Sequence, residues 1–243
     1  GILNYQYIGT DKTFKEVVND NKTLIRSYSL SNNEIVTESL GNLGGHQLSI
    51  FGNGYDVISQ DSLEGIYIGE DKVLNIENIN NWSGFNSTYG VIKNEGTLNI
   101  SGTNFSNNEE QDIINNGNLT LSGVSSSFEK GIIGIGTTTI SGVNINLVNA
   151  VIGQSKIEIN NNGNLTTNAS NIIADIENNS DLIFTEGMNN NYIFGKGTTV
   201  IKGEIINSST IVNAVIINEN KQLTTNASDV TGDIGNSGNY VLT

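Results

Sequence analysis

Apolar residues recur in a strand-turn-strand pattern along most of this chain. Residues 92–100 read Ile-x-Asn-x-Gly-x-Leu-x-Ile, and residues 113–121 repeat the pattern almost position for position. Residues two apart in a strand point to one face, so each repeat predicts a buried face interrupted by a turn. The pattern begins at nine isoleucines spaced 17 to 27 residues apart, which are Ile68, Ile92, Ile113, Ile132, Ile159, Ile176, Ile193, Ile217 and Ile234.

A second apolar position follows six residues after each isoleucine. If the chain makes one turn of a coil per repeat, equivalent positions lie above one another and form interior columns, with loops of variable length at a corner. We therefore expect all nine isoleucines to stack in one phase. The second position is most often leucine, and these predicted core residues are Leu74, Leu98, Leu119, Leu165, Leu182 and Leu223.

Asn and Gly occupy the turn of the pattern. Both tolerate left-handed backbone angles, which would bend the chain sharply between two strands. We therefore predict a column of left-handed turns between the two apolar columns. Its residues are Asn94, Gly96, Asn115, Gly117, Asn161, Gly163, Asn178, Asn236 and Gly238.

These columns predict an all-β fold, a right-handed parallel β-helix of roughly ten coils. The spacing from Thr13 to Glu16 is typical of a helix start, so residues 1–40 are expected to form an N-terminal cap with a short helix. Residues 41–243 would form the rod. Within the rod, a unit of three coils at about 132–185 is repeated at about 193–243. Because the pattern is interrupted at Thr243, we expect the chain to be a fragment truncated at its C-terminus.

Composition narrows the classes of function. The chain has 243 residues and a formal net charge of −14, which disfavours binding to nucleic acid or to an anionic membrane surface. It contains 0 Cys and one His, His46, so a thiolate nucleophile and a metal site built from several histidines are excluded. We expect His46 to be a surface or turn residue rather than a catalytic one. No cofactor, metal or catalytic residue is predicted.

Carboxylates do not form an obvious catalytic or calcium-binding motif. Enzymes with this fold that act on polysaccharides use clustered carboxylates with Arg or Lys, whereas the only Arg here is Arg26, in the predicted cap. The richest acidic segment, residues 109–112, does not match a known calcium loop. We expect these groups to be solvated turn residues, and we expect the chain not to be an enzyme.

One segment is the best candidate for recognition. Residues 80–89 hold the only Trp, Trp82, together with Phe85 and Tyr89. Aromatic side chains on a loop that projects from a rigid scaffold are typical of protein or sugar binding. The alternative is that Trp82 and Phe85 pack against the rod.

Three features of the sequence resemble passenger domains of bacterial autotransporter adhesins. They are the repeats, the Leu-Thr-Thr-Asn-Ala-Ser coils at 165–170 and 223–228, and Phe105-Ser-Asn-Asn108. The last motif is also similar to the Phe-x-x-Asn repeats of chlamydial polymorphic membrane proteins, although their Gly-Gly-Ala element is absent. The resemblance covers residues 40–243. It implies type V secretion through an outer-membrane β-barrel translocator C-terminal to this segment.

The resemblance further implies a rod at the bacterial cell surface, on the extracellular face of the outer membrane, or a secreted rod. Its partner would be a host-cell or bacterial surface protein or glycan. The first expected function is therefore adhesion. The alternative is a carbohydrate-active enzyme, either a polysaccharide lyase or a hydrolase.

Overall fold

A computed structural model describes residues 4–8 and 12–243. Thirty strands and two short helices lie within these residues. In chain order, the strands are β1 Asn4–Ile8, β2 Ile25–Ser29, β3 Glu34–Val36, β4 Gly41–Asn42, β5 Gln47–Phe51, β6 Val57–Ser59, β7 Ile66–Ile68, β8 Val73–Glu77, β9 Trp82–Ser83, β10 Ile92–Asn94, β11 Thr97–Ser101, β12 Asn104–Ser106, β13 Ile113–Asn115, β14 Asn118–Leu121, β15 Ser127–Phe128, β16 Ile132–Ile133, β17 Thr137–Ile140, β18 Ile145–Asn146, β19 Ile152–Ile159, β20 Asn164–Thr167, β21 Ile172–Asn178, β22 Asp181–Phe184, β23 Gly187–Asn189, β24 Ile193–Phe194, β25 Thr198–Ile201, β26 Glu204–Asn207, β27 Ala214–Ile217, β28 Gln222–Thr225, β29 Ile234–Asn236 and β30 Asn239–Leu242.

The chain is a parallel β-helix of about 12 coils, which confirms the predicted fold class with more coils than the ten expected. Its right-handed sense stays a prediction. Each coil has three sides, and each strand pairs in parallel with an equivalent strand of at least one adjacent coil. The first side contains β4, β7, β10, β13 and β16, the second β5, β8, β11, β14 and β17, and the third β6, β9, β12 and β15.

One column of paired residues runs along the second side through all 12 coils. It is continuous although the residue type changes from polar to apolar along it. Its members are Tyr5, Arg26, Leu48, Leu74, Leu98, Leu119, Thr138, Ile157, Ile176, Ile193, Ile211 and Val230.

Three of the nine predicted isoleucine positions share one column on the first side. Ile92 pairs with Ile113, and Ile113 pairs with Ile132. The next isoleucine toward the N-terminus does not continue this column, because Ile68 pairs with Asn94 whereas Ile66 pairs with Ile92. The predicted register is wrong by two residues there, since the turn after β7 is two residues longer than the turn after β10.

The single phase predicted for all nine isoleucines is also wrong in the second half of the rod. Ile176 and Ile193 belong to the second side, in the column that Leu98 and Leu119 occupy earlier. Ile234 pairs with Val215 on the third side. The strand-turn-strand pattern thus moves from one corner of the coil to the next, so equivalent sequence positions of the duplicated unit lie on different sides of the rod.

Two further isoleucines depart from the predicted register by two residues. Ile159 pairs with Asn178, whereas Ile157 pairs with Ile176. Ile217 pairs with Asn236 in the same way. Longer turns after these strands absorb the two residues. These isoleucines remain buried despite the shift, because residues two apart in a strand face the same interior.

All fifteen predicted core positions except one are buried. Ile234, in the last coil, is partly buried and packs against the core. The other fourteen are 0% exposed, and they are Ile68, Ile92, Ile113, Ile132, Ile159, Ile176, Ile193, Ile217, Leu74, Leu98, Leu119, Leu165, Leu182 and Leu223.

The predicted left-handed turns are wrong, and the asparagines have another role. None of the predicted turn residues has a positive φ. Asn94 and Asn115 are buried, and the Asn94 amide donates to Asn115 Oδ1 at 2.7 Å. Asn94 Oδ1 also accepts from the backbone N–H of Gly96 at 3.1 Å. Asparagine is therefore used here because its amide satisfies backbone groups at a tight corner.

Asn178 is buried in the same manner at its own corner, where its Oδ1 accepts from the Ser180 N–H at 3.2 Å. Asn161 and Asn236 are exposed in their turns. Asn236 Oδ1 nevertheless accepts from the N–H of Gly238 at 3.0 Å. In the turns at Asn94, Asn178 and Asn236, the side-chain amide oxygen thus caps the corner.

The glycines of these turns are required by close packing between coils. A Cβ at Gly96 would lie 2.3 Å from the Gly69 carbonyl oxygen, and one at Gly117 would lie 2.3 Å from that of Gly96. A Cβ at Gly163 or Gly238 would also lie within 2.6 Å of a carbonyl oxygen of an earlier coil. Stacked corners therefore leave no room for a side chain.

The N-terminal segment contains the predicted short helix, α1, Phe14–Asn19. Thr13 caps it by accepting from the Glu16 N–H at 3.2 Å. A separate cap ending near residue 40 is not seen, because β2 pairs with β5 along five residues. Residues 1–3 and 9–11 of the predicted cap lie outside the described residues. A short 3-10 helix, Ala169–Asn171, forms one corner later in the rod.

The only arginine occupies the core column of these first coils. Arg26 is 1% exposed. Its guanidinium donates to the carbonyl oxygens of Val17 and Val18, both at 2.8 Å, and to that of Gly44 at 3.0 Å. These bonds join α1 to the second and third coils, while burial lowers the pKa of Arg26. Arg26 is thus a structural residue.

Candidate functional site

Two of the three predicted recognition residues are core residues. Trp82 and Phe85 are both 0% exposed. Trp82 pairs with Val57 in one adjacent coil and with Phe105 in the other, and its ring lies 5.8 Å from the Phe105 ring in a stacked arrangement. Phe128 continues the stack at 5.3 Å from Phe105. The prediction that Trp82 and Phe85 bind a partner is therefore wrong, because both rings fill the interior of the third side.

Tyr89, the third predicted residue, is 57% exposed. It lies in a tight turn just before β10. The Ser87 carbonyl oxygen accepts from the Gly90 N–H at 2.9 Å, and Ser87 Oγ accepts from the Tyr89 N–H at 3.2 Å. Gly90 has a φ of +82°, which glycine adopts without strain. The turn is thus held by its own hydrogen bonds, and it leaves the Tyr89 ring on the surface.

Tyr89 borders a surface cleft on the first side of the rod, which we call the tyrosine cleft. The cleft has a volume of about 410 Å³. A second tyrosine, Tyr67, is 38% exposed and lines it as well. The lining residues are Gly41, Asn42, Glu64, Gly65, Ile66, Tyr67, Ser87, Tyr89, Gly90 and Lys93.

Lys93 lies between the two aromatic rings. Its ammonium nitrogen is 5.6 Å from the centre of the Tyr67 ring and 5.1 Å from that of Tyr89. Both distances are within the range of a cation–π interaction. The same ammonium forms an ion pair with Glu95 at 3.6 Å. Because all these groups are partly exposed, the ion pair contributes little to stability.

One carboxylate is paired with this lysine, and a second lines the cleft. Glu95 Oε1 accepts from the Asn116 amide at 3.0 Å, which orients the carboxylate beside Lys93. Glu64 contributes a further carboxylate to the cleft lining. The cleft therefore combines two aromatic rings, one negative group and one positive group, with the Glu95 carboxylate beside it.

Strand register explains how the cleft forms. Tyr67 is the central residue of β7 and pairs with Lys93, the central residue of β10, in the next coil. Their neighbours in both strands point inward and are buried, so these two side chains must point outward. The sequence did not reveal Tyr67 or Lys93 as a site. Their outward positions were readable, but the contact between Tyr67 and Lys93 joins two coils and depends on the strand register.

The predicted acidic segment contains one buried carboxylate, Asp112, which is 0% exposed. Asp112 accepts from the Lys130 N–H at 2.7 Å and from the Asn108 amide at 3.1 Å. Burial raises its pKa to about 6, although these hydrogen bonds act in the opposite direction. The hydrogen bonds of Asp112 thus hold the loop between β12 and β13 in place.

No group of three His, Asp or Glu side chains suited to holding a metal ion is found among residues 4–8 and 12–243. The single histidine, His46, is exposed at a corner of the rod. Over the same part of the chain, no helix is long and apolar enough to span a membrane.

Comparison with known proteins returned no match, whether to a family model, to a curated protein or to a solved structure. A function for this chain is therefore proposed from its fold and from the tyrosine cleft.

Proposed function

We propose that the chain is a binding module of an adhesin, in which the β-helix presents the tyrosine cleft to a partner. The observation that carries this proposal is the pair of exposed rings, Tyr67 and Tyr89, held at the mouth of a preformed cleft. Aromatic side chains give large contact areas at low entropic cost, and they are enriched where proteins bind other proteins or sugars.

The rod is suited to presenting such a site. Parallel pairing links every coil to the next, so the residues of the cleft are held by backbone hydrogen bonds on both sides. About 12 coils, each adding roughly 4.8 Å, make a rod of about 55 Å. A stiff rod of this length would keep the cleft at a set distance from whatever anchors it.

We place this module at the bacterial cell surface or in a secreted protein, as an autotransporter passenger. Three features support this placement: the resemblance of the repeats, the 0 Cys and the net charge of −14. A chain without cysteine forms no disulfide that would hinder its passage through a narrow pore, and strong acidity keeps an extended rod soluble. The partner would be a surface protein or glycan of a host cell or of another bacterium.

Binding of fluorescently labelled protein to epithelial cells, to bacterial cells and to an array of glycans tests the proposal. The double variant Tyr67→Ala with Tyr89→Ala should lose binding by about tenfold or more, as expected for central aromatic contacts. Tyr55→Ala is the matched control, because Tyr55 is exposed to the same extent as Tyr67, 38%, and lies outside the cleft.

Two results would contradict the proposal. Undiminished binding by the double variant would exclude the tyrosine cleft as the contact surface. Release of reducing sugar from any array glycan, dependent on Glu64, would favour the carbohydrate-active alternative over adhesion.

A further inference from the structure

The tyrosine cleft already holds one cation, supplied by the chain itself. The Lys93 ammonium lies 5.6 Å and 5.1 Å from two ring centres and 3.6 Å from a carboxylate oxygen of Glu95. From this arrangement we infer that the cleft binds the quaternary ammonium group of a ligand, and that Lys93 is a built-in competitor for the same position. This inference rests on the proposed function and names the chemical class of its ligand.

The rings set the preference for a cation. The face of an aromatic ring is negative, so two tyrosine faces directed at one point attract positive charge. Strand pairing fixes the backbone of Tyr67 relative to that of Lys93, and the Tyr89 backbone is held by its turn. The cleft therefore exists before a ligand arrives, and little ordering is needed on binding.

The surrounding charge favours the same class of ligand. Glu64 lines the cleft, and Glu95 lies beside it. Once Lys93 swings away, two carboxylates and two ring faces remain with no positive group between them. The net charge of −14 over the whole chain would also attract a cationic ligand.

Lys93 can be displaced because its interactions are weak. Its side chain is 27% exposed, and its contact with Glu95 at 3.6 Å is longer than a hydrogen bond. A primary ammonium is strongly hydrated and is readily held by water instead. A quaternary ammonium has no N–H to donate and is recognised mainly by ring faces.

Choline chloride is the probe for this inference, titrated into the whole chain and followed by calorimetry and by proton NMR. We expect the trimethyl resonance to shift upfield, because ring currents shield groups above aromatic faces. Lys93→Met, which keeps an apolar stem but removes the charge, should bind choline about tenfold more tightly than the unmodified chain. The double variant Tyr67→Ala with Tyr89→Ala should not shift the resonance.

The matched control is Lys156→Met. Like Lys93, Lys156 forms an ion pair at 3.6 Å with the glutamate two residues further along the chain, here Glu158, and it forms a second ion pair with Glu177. It has no cation–π contact with an aromatic ring among the described residues. Its removal lowers the positive charge of the protein by the same amount. Choline affinity should therefore be unchanged in this variant, and an equal increase would show that only net charge matters and would overturn the inference.

Two other outcomes would overturn it. Absence of choline binding by Lys93→Met would show that the rings do not form a cation site. Binding of glucuronate by the unmodified chain, lost in Lys93→Met, would show that Lys93 serves an anionic ligand instead. Either result can occur while cell binding still depends on Tyr67 and Tyr89, so failure of this inference is distinguishable from failure of the proposed function.

Discussion

Replacement of Trp82 by alanine should destabilise the third side of the rod. The indole is fully buried, and the rings of Phe105, Phe85 and Phe14 lie 5.8, 6.3 and 6.0 Å from it. Alanine would leave a cavity in this stack, which the neighbouring coils cannot close because their backbones are held by strand pairing. The adjacent coils should therefore lose stability first.

The size of the loss follows from three contributions. Truncation of a buried Trp to Ala costs about 3–5 kcal/mol, and loss of the stacked pair with Phe105 adds about 1 kcal/mol. In the opposite direction, Trp82 Nε1 is buried without a hydrogen-bond partner among the described residues. Removal of this unsatisfied donor should restore about 1–3 kcal/mol of stability. We expect a net loss of about 3 kcal/mol for Trp82→Ala.

Trp82→Phe separates the ring from its N–H group. It keeps most of the aromatic stack and removes the unsatisfied donor, so the two effects nearly cancel and the loss should be below about 1 kcal/mol. Urea unfolding followed by far-UV circular dichroism measures both variants, and amide hydrogen exchange shows which coils are affected. Tyr89→Ala is the control, because its side chain is exposed and should not change the midpoint.

A midpoint for Trp82→Ala equal to that of the unmodified chain would refute the placement of the indole in the core. Equal losses for the phenylalanine and alanine variants would refute the contribution assigned to the aromatic stack, because both variants lack the indole N–H.

Two further predictions concern a turn and a buried acid. Gly117→Ala should lower the free energy of unfolding, measured in urea, by about 1–3 kcal/mol, because its Cβ would lie 2.3 Å from the Gly96 carbonyl oxygen. Gly153→Ala is the control: its Cβ would meet no atom within 4 Å, and stability should change by less than about 1 kcal/mol. Equal effects would contradict the close packing of corners. The pKa of Asp112 is raised from 3.8 to about 6, so the folded state favours the protonated carboxyl. Protonation therefore stabilises the fold by about 3 kcal/mol. This stabilisation is fully present below pH 3.8 and is lost as the pH rises through 6. Asp112→Asn should therefore flatten the decline of the urea midpoint between pH 4 and pH 7, and a carboxyl that titrates near pH 4 by NMR would show that the group is not buried.

The periodic part of the fold was readable from the sequence because burial depends on alternation along a strand. Leu74, Leu98 and Leu119 recur at matching positions, and they stack in adjacent coils. The short helix at Phe14–Asn19 was likewise predictable from its capping residue. Such local signals do not depend on which coil lies next to which.

It was harder to predict which residues stack on one another in adjacent coils. Ile66 and Ile68 are both apolar and both point inward, so hydrophobicity could not decide which of them pairs with Ile92. The length of the turn decides it, and loops of different length cost similar amounts of entropy. The shift of the pattern from corner to corner was hidden for the same reason.

The sequence by itself determined the parallel β-helix, its buried columns and the absence of cysteine chemistry. Only the tertiary structure decided the site: it turned Trp82 into the core and brought Tyr67, Tyr89 and Lys93 together. The physical reason is that a periodic pattern reports whether a side chain points inward or outward. Contacts between coils depend instead on register, which the lengths of the intervening turns set.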